Sequence, residues 1–184
     1  MKRRTALRGL AGFGAAAVST SAAAGWSDPF AEKLRDDFLG HWISTRDYSL
    51  EVLDAMPEEH YSFKPTPQQR TFAEQSAHFA LANNAYFDRF GKQTKTAKPE
   101  QPEVLTKASI RDYVAASFEY VRETLASLDE TDFKRRDYSL RAPHTAQDLF
   151  LRAYMHTAHH RGQIIVYLRL KGIEPPAWKF APQG

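Results

Sequence analysis

The chain contains no cysteine. Disulfides, thiolate metal ligands and a thiol nucleophile are thereby excluded, and any metal site must draw on histidine, carboxylate, amide or water. Nor is there an apolar run fit to cross a bilayer, because the best stretch, Gly9 to Val18, is short and rich in glycine and alanine. No segment alternates apolar and polar residues with period two between turn signals, which argues against a core of strands. Beyond residue 24 the chain also lacks an internal repeat, a low-complexity tract and a surplus of positive charge. It carries 25 Lys+Arg against 22 Asp+Glu in all, but Lys2, Arg3, Arg4 and Arg8 fall before that point, which leaves 21 basic against 22 acidic residues. So even a balance gives no ground for nucleic acid or an anionic membrane surface as a partner. The Lys134-Arg135-Arg136 run reads as a solvated loop.

What is present begins with a leader. Residues 1–24 open on Arg3-Arg4 with no acidic residue, continue through the mildly apolar Gly9–Val18 stretch and end at Ala22-Ala23-Ala24, a small-residue cleavage signal. The Arg-Arg-x-x-Leu-Arg pattern resembles a twin-arginine export signal, with Ala6 where that pattern prefers leucine or an aromatic, so ordinary secretion stays open. The expectation is a periplasmic or secreted protein without a stable membrane anchor, processed near Ala24. Residues 25–184 then form one domain with length for a sizeable core.

Four helices are predicted in that domain, giving an all-α four-helix bundle. The first runs from about Pro29 to Ala55, with Leu34, Phe38, His41, Thr45, Tyr48 and Val52 at helical spacing and Pro57 as its stop. The second begins near Phe72 behind Thr71, whose pairing with Glu74 reads as a capping box, and is expected to end at Gly91. Its apolar positions are Phe72, Phe79, Tyr86, Phe87 and Phe90. A third, from Lys107 to about Leu128, aligns Ile110, Tyr113, Val114, Phe118, Val121 and Leu125. The fourth opens at Thr145 and ends at Gly172, before Pro175-Pro176. The connections are long, and the one from Asp129 to His144 reads as holding a short extended piece around Tyr138-Ser139-Leu140. Loops of this length cross the end of a bundle or carry function.

Three of the seven histidines lie between His156 and His160, inside the fourth helix. His156 and His160 are four apart and so project from one face, a turn apart, as two ligands of a single metal ion do. Leu149, Ala153, His156, His160, Gln163, Tyr167 and Leu170 alternate steps of four and three, the stripe of a helix facing a bundle core. Three polar side chains on such a stripe need partners, since unpaired burial is costly. A bound metal supplies them; hydrogen bonds within the core are the alternative. His159 sits at the edge of the stripe, in a rim or supporting position. For a third ligand His78 is the best placed, mid-helix among Ala77, Phe79, Ala80 and Ala82, although a hydrogen-bonded core histidine would fit there too. His41 lies on a more polar helix, and His60 and His144 are expected to be exposed in loops. Because only neutral imidazole binds metal, affinity is expected to fall as pH drops through about 6.5.

Several pieces together resemble the DinB/YfiT-like superfamily. They are Tyr61-Ser62-Phe63-Lys64-Pro65-Thr66-Pro67, Phe72-Ala73-Glu74-Gln75-Ser76-Ala77-His78, His156-Thr157-Ala158-His159-His160-Arg161-Gly162-Gln163, and the trailing Tyr167-Leu168-Arg169 and Gly172-Ile173-Glu174-Pro175-Pro176. The resemblance implies a four-helix bundle and a divalent metal held by three histidines, which are His78, His156 and His160 here. It also implies a homodimer, in line with the aromatic load of Phe38, Trp42, Tyr86 and Phe87. Some relatives are thiol-dependent transferases or isomerases; export sets this chain apart from them, because low-molecular-weight thiols are chiefly cytosolic.

Three imidazoles leave open positions on zinc, nickel, manganese or iron, and on zinc such a position draws the pKa of water towards about 7. Two residues are candidates for a catalytic role. Glu74 shares a face with His78 and could orient it or act as a base, against the simpler reading as the capping-box partner. Gln163 continues the ligand stripe and could bond a ligand or a substrate, against a packing role. Arg161 lies off the stripe and is expected in an ion pair. The function expected is metal-assisted hydrolysis or thiol-dependent transfer on a small-molecule substrate, with a non-catalytic metal-binding or interaction protein as the alternative.

Overall fold

A computed structural model describes residues 26–88, 90, 94–136 and 144–179. The expected leader and the extended piece around Tyr138-Ser139-Leu140 lie outside these residues. The described residues form α1 (Pro29–Ala55), a 3-10 turn (Glu58–His60), α2 (Phe72–Phe87), α3 (Lys107–Ser127), a short α4 (Glu130–Lys134) and α5 (Ala146–Leu170), with no strand among them.

Local chemistry explains most of the boundaries. Asp28 accepts hydrogen bonds from the backbone N–H groups of Phe30 (3.0 Å) and Ala31 (3.2 Å), and Pro29 fills the first turn of α1, where no N–H is needed. Thr71 and Glu74 form the expected reciprocal box at the start of α2, with Glu74 N–H on Thr71 Oγ1 at 3.1 Å and Thr71 N–H on Glu74 Oε2 at 2.8 Å. Thr145 caps α5 by accepting from Asp148 N–H at 3.1 Å. At the far end of α5, Gly172 adopts φ +72° and Ile173 N–H bonds back to Leu168 O at 3.0 Å, a left-handed stop that favours glycine. Two boundaries differ from expectation. Helix α2 ends at Phe87, ahead of Gly91, and α4 was not anticipated: it is a single capped turn, with Asp129 accepting from Asp132 N–H at 2.8 Å.

The four long helices form a bundle in which α2 packs along α3 and α5, and α1 packs along the same two. Helices α1 and α2 therefore stand at opposite corners, as do α3 and α5. This is why the first connection is long: residues 56–71 must cross one end of the bundle on the diagonal. The first crossing is stitched down. Tyr61 is buried, its hydroxyl donates to Leu53 O (2.9 Å) and its carbonyl accepts from Ala73 N–H (2.9 Å), while Phe72 N–H bonds to Phe63 O (2.8 Å). The core is aromatic, with Trp42, Phe72, Phe79, Phe87, Phe118 and Phe150 almost wholly enclosed. Trp42 and Phe87 are thus absorbed by the chain's own core, whereas Phe38 and Tyr86 are half-buried against it.

Three polar side chains sit where the sequence did not point. Arg161 is 7 % exposed, and no carboxylate among the described residues pairs with it. Its guanidinium lies over the Tyr48 ring (4.7 Å to the centroid) and donates to Thr45 O (3.3 Å) and Ser49 Oγ (3.2 Å) of α1. The expected ion pair is replaced by a cation–π contact and bonds to a neighbouring helix, because α5 buries a face wide enough to include Thr157 and Arg161 beside the histidine stripe. His144, expected to be exposed, is 7 % exposed and pairs through Nδ1 with the Asp148 carboxylate one turn into α5. His60 is half-buried in the 3-10 turn rather than exposed.

Candidate metal centre

His78 on α2 meets His156 and His160 on α5 across the interface of two adjacent helices. One nitrogen of each ring lies within 4.8 Å of the others, and among the described residues this is the grouping of histidine and carboxylate side chains that could hold an ion. The ring centroids are 5.2 Å apart for His78 and His156, 4.7 Å for His78 and His160, and 4.3 Å for His156 and His160. Nε2 of His156 and Nε2 of His160 face each other at 3.0 Å. Metal–nitrogen bonds of about 2.0–2.1 Å in a tetrahedron put nitrogens ~3.4 Å apart, within reach of small ring rotations from this arrangement. His41 and His60 stand outside the grouping. His159 is exposed and stands outside it too, in the rim position expected, where its Nε2 takes a hydrogen bond from Gln163 Nε2 at 3.1 Å.

The outer nitrogen of His160 is held by two amides, with Gln163 Oε1 3.0 Å from Nδ1, while Nε2 faces His156. Gln75 packs its amide against the same Nδ1 and hydrogen-bonds Gln163 Oε1. An outer partner on the distal nitrogen of a ligating histidine is the usual way to fix its orientation. Gln163 therefore has a bonding role beyond packing. Gln75, 4 % exposed, was missed in the sequence, although it lies three residues before His78 and so on the same face of α2.

Burial holds all three imidazoles neutral. It pushes His78, His156 and His160 below the ordinary imidazole value, His160 to about 4, and the Arg70 charge pushes His78 and His156 in the same direction. Neutral imidazole is the form that binds metal. Nδ1 of His156 is buried with no hydrogen-bond partner, while its Nε2 is the nitrogen turned to the other rings. Three nitrogen donors without a carboxylate suit a divalent transition ion.

Glu74 is exposed, and its carboxylate is committed to the Thr71 backbone, which holds it below the usual carboxylate range. The capping reading of Glu74 accounts for its contacts; it also lines a pocket with His78. That pocket, of about 380 Å³, is bounded by Gln68, Gln69, Arg70, Glu74 and Gln101. A second, of about 440 Å³, lies against His160, Gln75, Gln163 and Tyr167 and shares Gln68, Gln69 and Arg70 with the first. The histidine cluster is therefore reached from solvent on both sides of the Gln68–Arg70 loop.

Comparison with known proteins agrees with this architecture. An uncharacterised protein of Bacillus subtilis (strain 168), YjoA, is 22 % identical over 143 residues, covering 74 % of this chain and 90 % of its own. The crystal structure of that DinB-like protein superposes with a TM-score of 0.64 at 19 % identity, over 79 % of this chain and 99 % of the other. A DinB-like protein of Bacillus cereus ATCC 10987 gives 0.67 at 20 % identity, over 77 % and 95 %. These likenesses establish the fold. The model of the DinB superfamily matches residues 41–164, a span that takes in His78, His156 and His160, and the chain belongs to that superfamily.

Proposed function

We propose that this protein is a metal-dependent enzyme that holds one divalent transition ion on His78, His156 and His160 and carries out metal-assisted hydrolysis or thiol-dependent transfer on a small molecule. The observation that supports this reading is the combination of three converging imidazoles with two solvent-open pockets. A purely structural ion is closed off by four protein ligands, whereas a catalytic one has three and an open side. The ion would supply Lewis-acid activation of a water or thiol nucleophile. The chain supplies the rest: burial keeps the imidazoles neutral, Gln163 and Gln75 hold His160 by its distal nitrogen, and the amide-lined pockets receive the substrate.

A screen of zinc-, nickel-, manganese- and iron-loaded protein against esters, amides and thiol–electrophile pairs tests the reading. Turnover is expected that disappears on chelation and returns with one equivalent of metal. Absence of turnover from every loaded form would sink the enzyme reading and leave a non-catalytic metal-binding protein. We propose in addition that residues 1–24 direct export and that the exported protein is a homodimer. An N-terminus near Gly25 by mass spectrometry and the mass of two chains by light scattering are the expected results; an intact leader, or a single-chain mass at micromolar concentration, would count against them.

A further inference from the structure

Arg70 occupies a singular position. It ends the loop that crosses the bundle, and it lines both pockets that flank the histidine cluster. In the pocket against His160 it is the only charged side chain among the described residues, the other walls being Gln68, Gln69, Gln75, Gln163 and Tyr167. Its backbone is anchored, because Tyr167 donates its hydroxyl hydrogen to Arg70 O at 3.0 Å and so ties the loop to α5. Its side chain is exposed, and no ion pair or hydrogen bond among the described residues engages the guanidinium. Glu74, which lines the first pocket with Arg70 and feels its charge, has its carboxylate hydrogen-bonded to the Thr71 backbone. Arg70 shares one pocket with His78 and the other with His160, which sets its charge beside the cluster.

An anchored cation whose guanidinium lies, in the pocket against His160, among amides and beside an electron-pair-rich cluster is the arrangement of an anion-binding subsite. We propose that the substrate carries a carboxylate, which docks on the Arg70 guanidinium between the Gln68 and Gln69 amides while its reacting end faces His160. One guanidinium matches one carboxylate, charge for charge and in a two-bond geometry, and the amides beside Arg70 add uncharged donors. This deepens the metal-centre reading and rests on it.

The experiment uses cobalt(II)-loaded protein and three thiol acids of increasing length, thioglycolate, 3-mercaptopropionate and 4-mercaptobutyrate, each beside its uncharged amide. Binding of the sulfur is followed by the sulfur-to-cobalt charge-transfer band. For the best-fitting length the acid is expected to bind about tenfold more tightly than the amide, as one charge-assisted pair at a partly exposed site gives. The preference should shrink with added salt, vanish in Arg70→Gln and survive in part in Arg70→Lys. Equal binding of acid and amide to the unaltered protein, or an unchanged preference in Arg70→Gln, overturns the carboxylate subsite and leaves the metal centre standing. Failure to take up cobalt overturns the metal centre instead. In that case the subsite is judged by the Arg70 Nε–H resonance, which must still shift with the acid and not with the amide; no shift would overturn it as well.

Discussion

Replacing any one of His78, His156 or His160 by alanine is expected to strip most of the bound metal. Each supplies one of three nitrogens within 4.8 Å, and no carboxylate in the grouping can take over. The loss should exceed the 10–100-fold fall that removal of an outer partner causes. Gln75→Leu provides that smaller figure for comparison, since it removes only the amide behind His160. His60→Ala should keep its metal. His144→Ala should keep it too while losing some stability, because the buried ring and its Asp148 partner would be separated. Elemental analysis after mild dialysis measures all of these. Full occupancy in His156→Ala and His160→Ala would end the hypothesis. Retention in His78→Ala alone would move the third ligand to His41, His159 or Gln163.

The same measurement against pH separates this site from three free imidazoles. An unperturbed imidazole gains its proton near 6.5. In the fold all three lie lower, and His160 titrates at about 4. Protons therefore compete with metal only at lower pH, and metal loss should begin below 6.5 and run toward 4, not centre on 6.5 as the sequence suggested. Stability without metal follows the same sign. The unfolded chain binds more protons than the fold between those values, so stability is present above 6.5 and declines as pH falls through the window.

The largest effect on the fold itself is expected from Trp42→Ala. The indole is 1 % exposed, its Nε1–H donates to Phe118 O at 2.9 Å, and its ring meets Phe118 and Phe150 at centroid distances of 4.7 and 5.4 Å. It thus joins α1 to both of its neighbours, α3 and α5. Truncation removes that contact, opens a cavity and leaves a buried carbonyl without its side-chain donor, for about 3–5 kcal/mol. At 2–4 °C per kcal/mol in a domain of this size, the melting temperature should fall by roughly 6–20 °C. Trp42→Phe should cost less. A change of only a degree or two in Trp42→Ala by calorimetry would mean that the indole is not the tie between these helices that its contacts indicate.

What the sequence determined by itself is local. The helix starts at Pro29, Phe72, Lys107 and Ala146 follow from Asp28, Thr71, Thr106 and Thr145, whose side chains satisfy backbone donors within the next turn. The shared face of His156 and His160 follows equally from helix pitch, and the absence of cysteine settled which donor types a metal could use. Residues a few positions apart are held by the same short stretch of backbone, so spacing alone specifies them. The tertiary structure decided everything that lies between helices. It set α1 diagonal to α2, brought His78 to the α5 pair, packed Gln75 behind His160 and placed Arg70 between two pockets. It also buried Arg161 against Tyr48 and His144 against Asp148, both of which spacing had assigned to other surroundings. Periodicity says that a helix has a buried face; the width of that face, and what stands opposite each residue on it, is set by how the helices pack together.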